Sequence, residues 1–158
     1  MGERRDYSWS DAYVSGIEAV DMQHRVLIKM LALLVRAQTE GGNPELVSDV
    51  LTVMTDYANK HLRFEEELMR KHEYPEAEAH IKHHKEFRRR TSELCYMEGC
   101  LSSKMGDSQI NRLIAFLEHW LPGHIVEEDI KLGQYLLQAK VEPASLRNPS
   151  VSAWVINY

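Results

Sequence analysis

Two cysteines in 158 residues are too few for a disulfide framework, and no apolar run approaches the ~18 residues needed to cross a bilayer. Basic charge is also short. The 19 lysines and arginines face 24 acidic residues, a net charge of -5, so nothing draws the whole molecule to nucleic acid or anionic lipid. Low-complexity tracts, internal repeats and strand-like alternation are missing as well. The charged start, Glu3-Arg4-Arg5-Asp6, has no apolar stretch behind it to make a secretory signal, so a cytoplasmic location is expected. Set against these absences, 44% of the residues are hydrophobic, enough for one core, and eight are histidine.

Apolar residues recur at helical steps of three and four along four stretches. The first stripe is Val20, His24, Leu27, Leu31 and Leu34, closed by Glu40-Gly41-Gly42-Asn43. The second runs Val47, Val50, Met54, Tyr57, His61, Phe64/Glu65 and Leu68, and stops at Tyr74 before Pro75, which opens the third helix. The third is Ala77, His80, His84, Phe87, Thr91 and Leu94, fading at Ser102-Ser103-Lys104-Met105-Gly106-Asp107. The fourth reads Ile110, Leu113, Leu117, Trp120 and His124, then shifts to Ile125, Asp129, Leu132 and Leu136. Short turns between long helices predict an all-α protein, an antiparallel up-down-up-down four-helix bundle over residues 17–138. Residues 1–16 read as an extended N-terminal arm. Residues 139–158 read as a C-terminal extension whose apolar Val151-Ser152-Ala153-Trp154-Val155-Ile156 suits packing on the bundle or a protein partner.

Five histidines, His24, His61, His80, His84 and His124, fall on core stripes. A single core histidine needs only one hydrogen bond, but five need a shared partner, and a metal is the simplest. Helix height tests the idea. In such a bundle the start of the first helix, the end of the second, the start of the third and the end of the fourth share one end, and His24, His61, Glu65, His80, His84, His124 and Asp129 all lie near that level. His61 with Glu65 and His80 with His84 are i,i+4 pairs on one helix face. Asp129 follows His124 by five, which at 100° per residue turns it about 140° aside, an approach that suits a bridging ligand. Pro122, just ahead of His124, removes a backbone donor and can kink the helix there. Seven donors exceed the four ligands of one tetrahedral zinc, so two metals fit. Imidazole with a minority of carboxylate suits iron, copper or zinc, and iron is preferred here. No glutamate stands three before any histidine, unlike the Glu-x-x-His repeats of carboxylate-rich di-iron bundles, which argues against oxidative chemistry and for reversible binding.

The ordered set resembles the hemerythrins, especially the single-domain bacteriohemerythrins, over about residues 7 to 137. Trp9, Gly16-Ile17 and Val20-Asp21-Met22-Gln23-His24 are similar to the family's arm and first ligand. His61-x-x-x-Glu65-Glu66, His80-x-x-x-His84-x-x-Phe87 and Trp120-x-x-x-His124-Ile125-x-x-x-Asp129 match its other motifs. The resemblance implies two non-haem iron ions per chain. His80, His84 and His124 would complete one; His24 and His61 would hold the other; Glu65, Asp129 and an oxide or hydroxide would bridge them. Leu27, Trp120 and Ile125 match an apolar pocket over the position open to dioxygen. The implied function is reversible dioxygen binding by a carrier, store or supplier rather than an enzyme. The alternatives are an oxygen or redox sensor signalling through the C-terminal extension, a di-iron enzyme consuming peroxide or nitric oxide, and zinc or manganese in the same ligands. Pro122-Gly123 and the extension depart from the simplest family members.

The remaining signals have plainer readings. His72, His83 and His119 are left outside the site, and Cys95 with Cys100 read as ordinary packing. Arg88-Arg89-Arg90 reads as a solvated helix face. Asp21 suits either an acceptor for a ligand imidazole or the favourable charge at a helix start.

Overall fold

Each apolar stripe becomes a helix because its face has no other place to hide from water. The computed structural model describes residues 7–39, 44–96 and 107–147. It contains α1 (Glu18–Thr39), α2 (Pro44–Lys71), α3 (Ala77–Tyr96), α4 (Asp107–His124) and α5 (Ile130–Gln138), with a π-helical turn (Ile125–Asp129) between the last two. Glu18 and Asp21 in the first turn of α1, and Arg70 and Lys71 in the last turn of α2, complement the helix dipoles. Backbone angles are right-handed helical at His124 (φ -60°, ψ -47°) and at Ile130 (φ -63°, ψ -40°), so α4, the π turn and α5 form one continuous rod.

That leaves four rods. α1 and α3 each pack on α2 and on α4, closing a ring. His24 near the start of α1 meets His61 near the end of α2, and Glu66 near that same end meets His84 near the start of α3, so these neighbours run antiparallel. The all-α bundle expected from the stripes is what the chain forms.

Two apolar clusters fill it. The larger runs from Leu27 to Leu34 on α1, Val47 to Leu62 on α2, Phe87, and Ile110 to Ile125. The smaller gathers Ile17, Val20, Phe64, Leu68, Met69, Tyr74, Leu132, Leu136 and Leu146. Along each rod the buried histidines and carboxylates occupy the level where one cluster gives way to the other.

Three details depart from the sequence expectations. First, α3 begins at Ala77 rather than at Pro75, because the Ala77 N–H donates to the Tyr74 carbonyl at 3.1 Å and holds the intervening residues as a turn. Second, the arm is not simply extended. Asp11–Tyr13 form a 3-10 turn, capped by the Ser10 hydroxyl accepting from the Ala12 N–H, and Trp9 packs on Tyr13 and under the Arg25 guanidinium, 4.6 Å from the ring centre. Third, the rod between His124 and Asp129 is not α-helical. Its i→i+5 bonding, closed by the Ile130 N–H on the Ile125 carbonyl, widens the turn and brings residues five apart back to one face. The 140° offset expected of Asp129 is therefore removed, and its Oδ1 lies 3.1 Å from His124 Nε2.

The arm is fastened at its end. The backbone N–H and hydroxyl of Ser15 both donate to Asp21 Oδ1, at 2.8 and 2.7 Å, which makes Asp21 an anchor for the arm rather than an acceptor for an imidazole. Gly16 follows with φ +84°, a left-handed turn open to glycine. At the other end, Tyr135 donates to the His72 carbonyl at 2.9 Å and to that of Glu73 at 3.3 Å, clamping the link between α2 and α3. The first part of the C-terminal extension folds back, and Pro143–Leu146 buries Leu146 in the smaller cluster. The apolar Val151–Ile156 stretch with Trp154, the turns expected at 40–43 and 102–106, and Cys100 lie outside the described residues. Among the described residues no helix is long and apolar enough to cross a membrane.

Candidate metal centre

α1 contributes His24, α2 His61 and Glu65, α3 His80 and His84, α4 His124, and the π turn Asp129. All seven side chains are buried, none more than 4% exposed. Their donor atoms form two sets. Glu65, His80, His84, His124 and Asp129 make one; His24, His61, Glu65 and Asp129 make the other, and within each the donor atoms lie within 4.8 Å of one another. Both carboxylates belong to both sets. His72, His83 and His119 belong to neither, as expected, although the exposed His83 ring stands 6.0 Å from that of His124.

The imidazoles converge through one kind of atom. Nε2 of His24 lies 3.2 Å from Nε2 of His61, and Nε2 of His124 lies 3.2 Å from Nε2 of both His80 and His84. Asp129 approaches His24 Nε2 at 3.0 Å and His80 Nε2 at 3.1 Å. With metal–nitrogen bonds of about 2.1 Å, two donors at right angles on one ion stand about 3.0 Å apart. The observed spacing thus fits neighbouring ligands on a shared cation.

Electrostatics favours the same occupant. Both oxygens of Glu65 and both of Asp129 are buried without a hydrogen-bond partner among the described residues, a costly condition for a carboxylate. Burial, reinforced by the charge of Asp129, pushes Glu65 well above the usual carboxylate range. Burial acts on Asp129 in the same sense, but the imidazoles of His124, His24 and His80, whose Nε2 atoms stand 3.0–3.1 Å away, outweigh it and hold Asp129 well below. Burial pushes His61, His84 and His124 below the ordinary imidazole range, so they stand as neutral donors at neutral pH. A cation between the carboxylates relieves their repulsion and uses the neutral nitrogen lone pairs. The residues therefore fit a transition metal bound through nitrogen and oxygen.

Beside the donors, Leu27 and Ile125 are fully buried, and the half-buried Trp120 stacks on His124 with ring centres 4.3 Å apart and planes 13° apart. These are the three residues expected to form an apolar pocket, and all three belong to or pack on the larger cluster. Pro122 sits within α4 and lines a cavity of about 300 Å³ with Tyr7, Tyr13, Ile28, Leu31 and Leu121, between the arm and the bundle.

Two residues behind the donors, named in the sequence only as parts of motifs, take on a role in the structure. Gln23 Oε1 lies 2.6 Å from His61 Nδ1, and Glu66 Oε1 lies 2.9 Å from His84 Nδ1. Each directly adjoins a ligand in sequence, at His24 and at Glu65, but adjacency alone does not say which histidine on another helix it meets.

Known proteins match the chain in sequence. The family model of the hemerythrin HHE cation binding domain matches residues 15–136. The chain is 36% identical over 121 residues to a bacteriohemerythrin of Stenotrophomonas maltophilia, 33% to one of Pseudomonas paraeruginosa and 32% to one of Pseudomonas aeruginosa. Each alignment covers 77% of this chain and 75% of the relative.

Proposed function

The chain belongs to the hemerythrin family, a family of cation-binding domains, and from that premise we propose that it binds dioxygen reversibly at a non-haem di-iron centre, as a carrier, store or supplier rather than an enzyme. The observation that carries the reading is the sharing of Glu65 and Asp129 between two donor sets that are otherwise separate. In this reading His80, His84 and His124 would hold one iron and His24 and His61 the other, with Glu65 and Asp129 available to both. With two histidines against three, and so one protein ligand fewer, the His24 and His61 side would carry the position open to dioxygen. Ferrous iron at the site would lend dioxygen electrons on binding and recover them on release.

The chain's own residues set the conditions. Leu27, Ile125 and Trp120 keep bulk water from the open side, which limits the protonation that makes oxidation irreversible. The two carboxylates bring only two negative charges to two dications. In a buried site this keeps net charge small, so uptake and release of a neutral gas proceed without solvating new charge.

The test is direct. Purified protein should hold about two irons per chain, and its ferrous form should develop a visible band in air that vanishes under vacuum. A single zinc per chain would overturn the reading. Irreversible bleaching in air would instead support turnover of peroxide or nitric oxide at the same residues.

A further inference from the structure

The two donor sets are supported differently from behind. In the set with three histidines, His84 presents Nε2 to the centre and Nδ1 to Glu66 Oε1 at 2.9 Å. That same oxygen accepts from Arg88 Nη1 at 2.7 Å, while Arg88 Nε donates to Asn59 Oδ1 at 3.3 Å. Glu66 and Arg88 are each about a quarter exposed, at 25% and 29%, so the pair sits at the bundle wall with the carboxylate pinned between a guanidinium and an imidazole. In the set with two histidines, His61 presents Nε2 to His24 and Nδ1 to Gln23 Oε1 at 2.6 Å. Gln23 is wholly buried and neutral. Nδ1 of His24, His80 and His124 has no partner among the described residues. Each set therefore has one imidazole held from behind, by an anion in one and by an amide in the other.

We propose that Glu66, pinned by Arg88, and Gln23 are positioning residues that fix one imidazole in each donor set with its proton on Nδ1, and that the carboxylate makes the three-histidine position the stronger donor site. The physical reason is simple. An imidazole has one proton to place when neutral, and an acceptor behind Nδ1 leaves the Nε2 lone pair free to face the centre. A carboxylate draws that proton harder than an amide does and raises the basicity of the opposite nitrogen, so His84 gives more electron density to its metal than His61 gives to its own. Arg88 keeps the carboxylate from swinging into solvent. The proposal rests on the two-metal reading above only for its second half, since the placement of the protons concerns the chain without metal.

The experiment separates the two halves. In the metal-free protein, nitrogen-15 NMR should report His61 and His84 as fixed Nδ1–H forms. Glu66→Gln, nearly isosteric and at the bundle wall, should loosen His84 alone, and Gln23→Leu should loosen His61 alone. Arg88→Gln should reproduce a weaker version of the Glu66 effect. Titration with Co²⁺ should show two equivalents in the wild type. Glu66→Gln should weaken the equivalent assigned to the three-histidine set by about 10–100-fold and leave the other near its wild-type affinity, with Gln23→Leu doing the converse. Unchanged histidine resonances in Glu66→Gln, or equal losses from both equivalents, would overturn the proposal. A wild type binding no second equivalent would instead remove the di-iron reading while leaving the proton placement standing or falling on the NMR result.

Discussion

Replacing Gly133 by alanine should destabilise the protein although the residue lies inside a helix, where the same change ordinarily stabilises by about 1 kcal/mol. A Cβ on Gly133 would stand 2.0 Å from the Ser15 carbonyl oxygen, 2.8 Å from its carbon and 3.2 Å from Ser15 Cβ. Ordinary contact requires the arm to retreat by more than 1 Å at a point where it cannot easily move. Ser15 is tied to Asp21 by two hydrogen bonds, and Gly16 behind it already holds φ +84°. Overpacking of this kind costs about 1–3 kcal/mol, and loss of a hydrogen bond to a charged acceptor about 1.5–3 kcal/mol. Set against the gain in helix propensity, the net should be about 2 kcal/mol of destabilisation, or a melting temperature lower by roughly 4–8 °C for a chain of this size. Gly123 supplies the internal control. It too lies in a helix, and a Cβ there meets nothing within 4 Å, so Gly123→Ala should stabilise by up to about 1 kcal/mol. Urea unfolding of both variants, with amide exchange at Ser15 as the local readout, decides the matter. If Gly133→Ala is as stable as the wild type, or both variants shift in the same direction, the account of the arm's attachment is wrong.

Further outcomes follow from the site and its supports. His61→Ala should lose bound metal because no other donor stands behind it, whereas His83→Ala should retain both equivalents; metal analysis of the purified variants checks this. In the metal-free protein, stability should fall as pH drops below about 6.5, the ordinary imidazole value. The unfolded chain takes up protons there that folded His61, His84 and His124 refuse, so the slope of stability against pH is positive. Glu65, pushed upward, works in the opposite sense, but it is one group against three. Urea midpoints that stay level or rise between pH 7 and 5.5 would contradict the assignment. Tyr135→Phe should cost about 1 kcal/mol by releasing the carbonyls of His72 and Glu73, read as faster exchange in the link between α2 and α3.

Much of this was legible in the linear chain, and the rest was not, for one physical reason. A helix imposes its own period on the sequence, so burial of one face writes itself as apolar residues at steps of three and four. Those stripes determined four helices, and the short turns between them determined the antiparallel order and so the shared level of seven donors, because each depends on position along the chain rather than on contacts between helices. Only the tertiary structure decided the π turn at Ile125–Asp129. The α-helical period places Asp129 about 140° from His124, and the wider turn returns it to His124's face. Asp21 was equally ambiguous in the chain and proves to hold the arm, while Gln23 and Glu66 stand behind ligands on other helices. Such pairings depend on how neighbouring rods are rotated and how far apart they pack. No local periodicity records that, since it is settled only when the whole core closes.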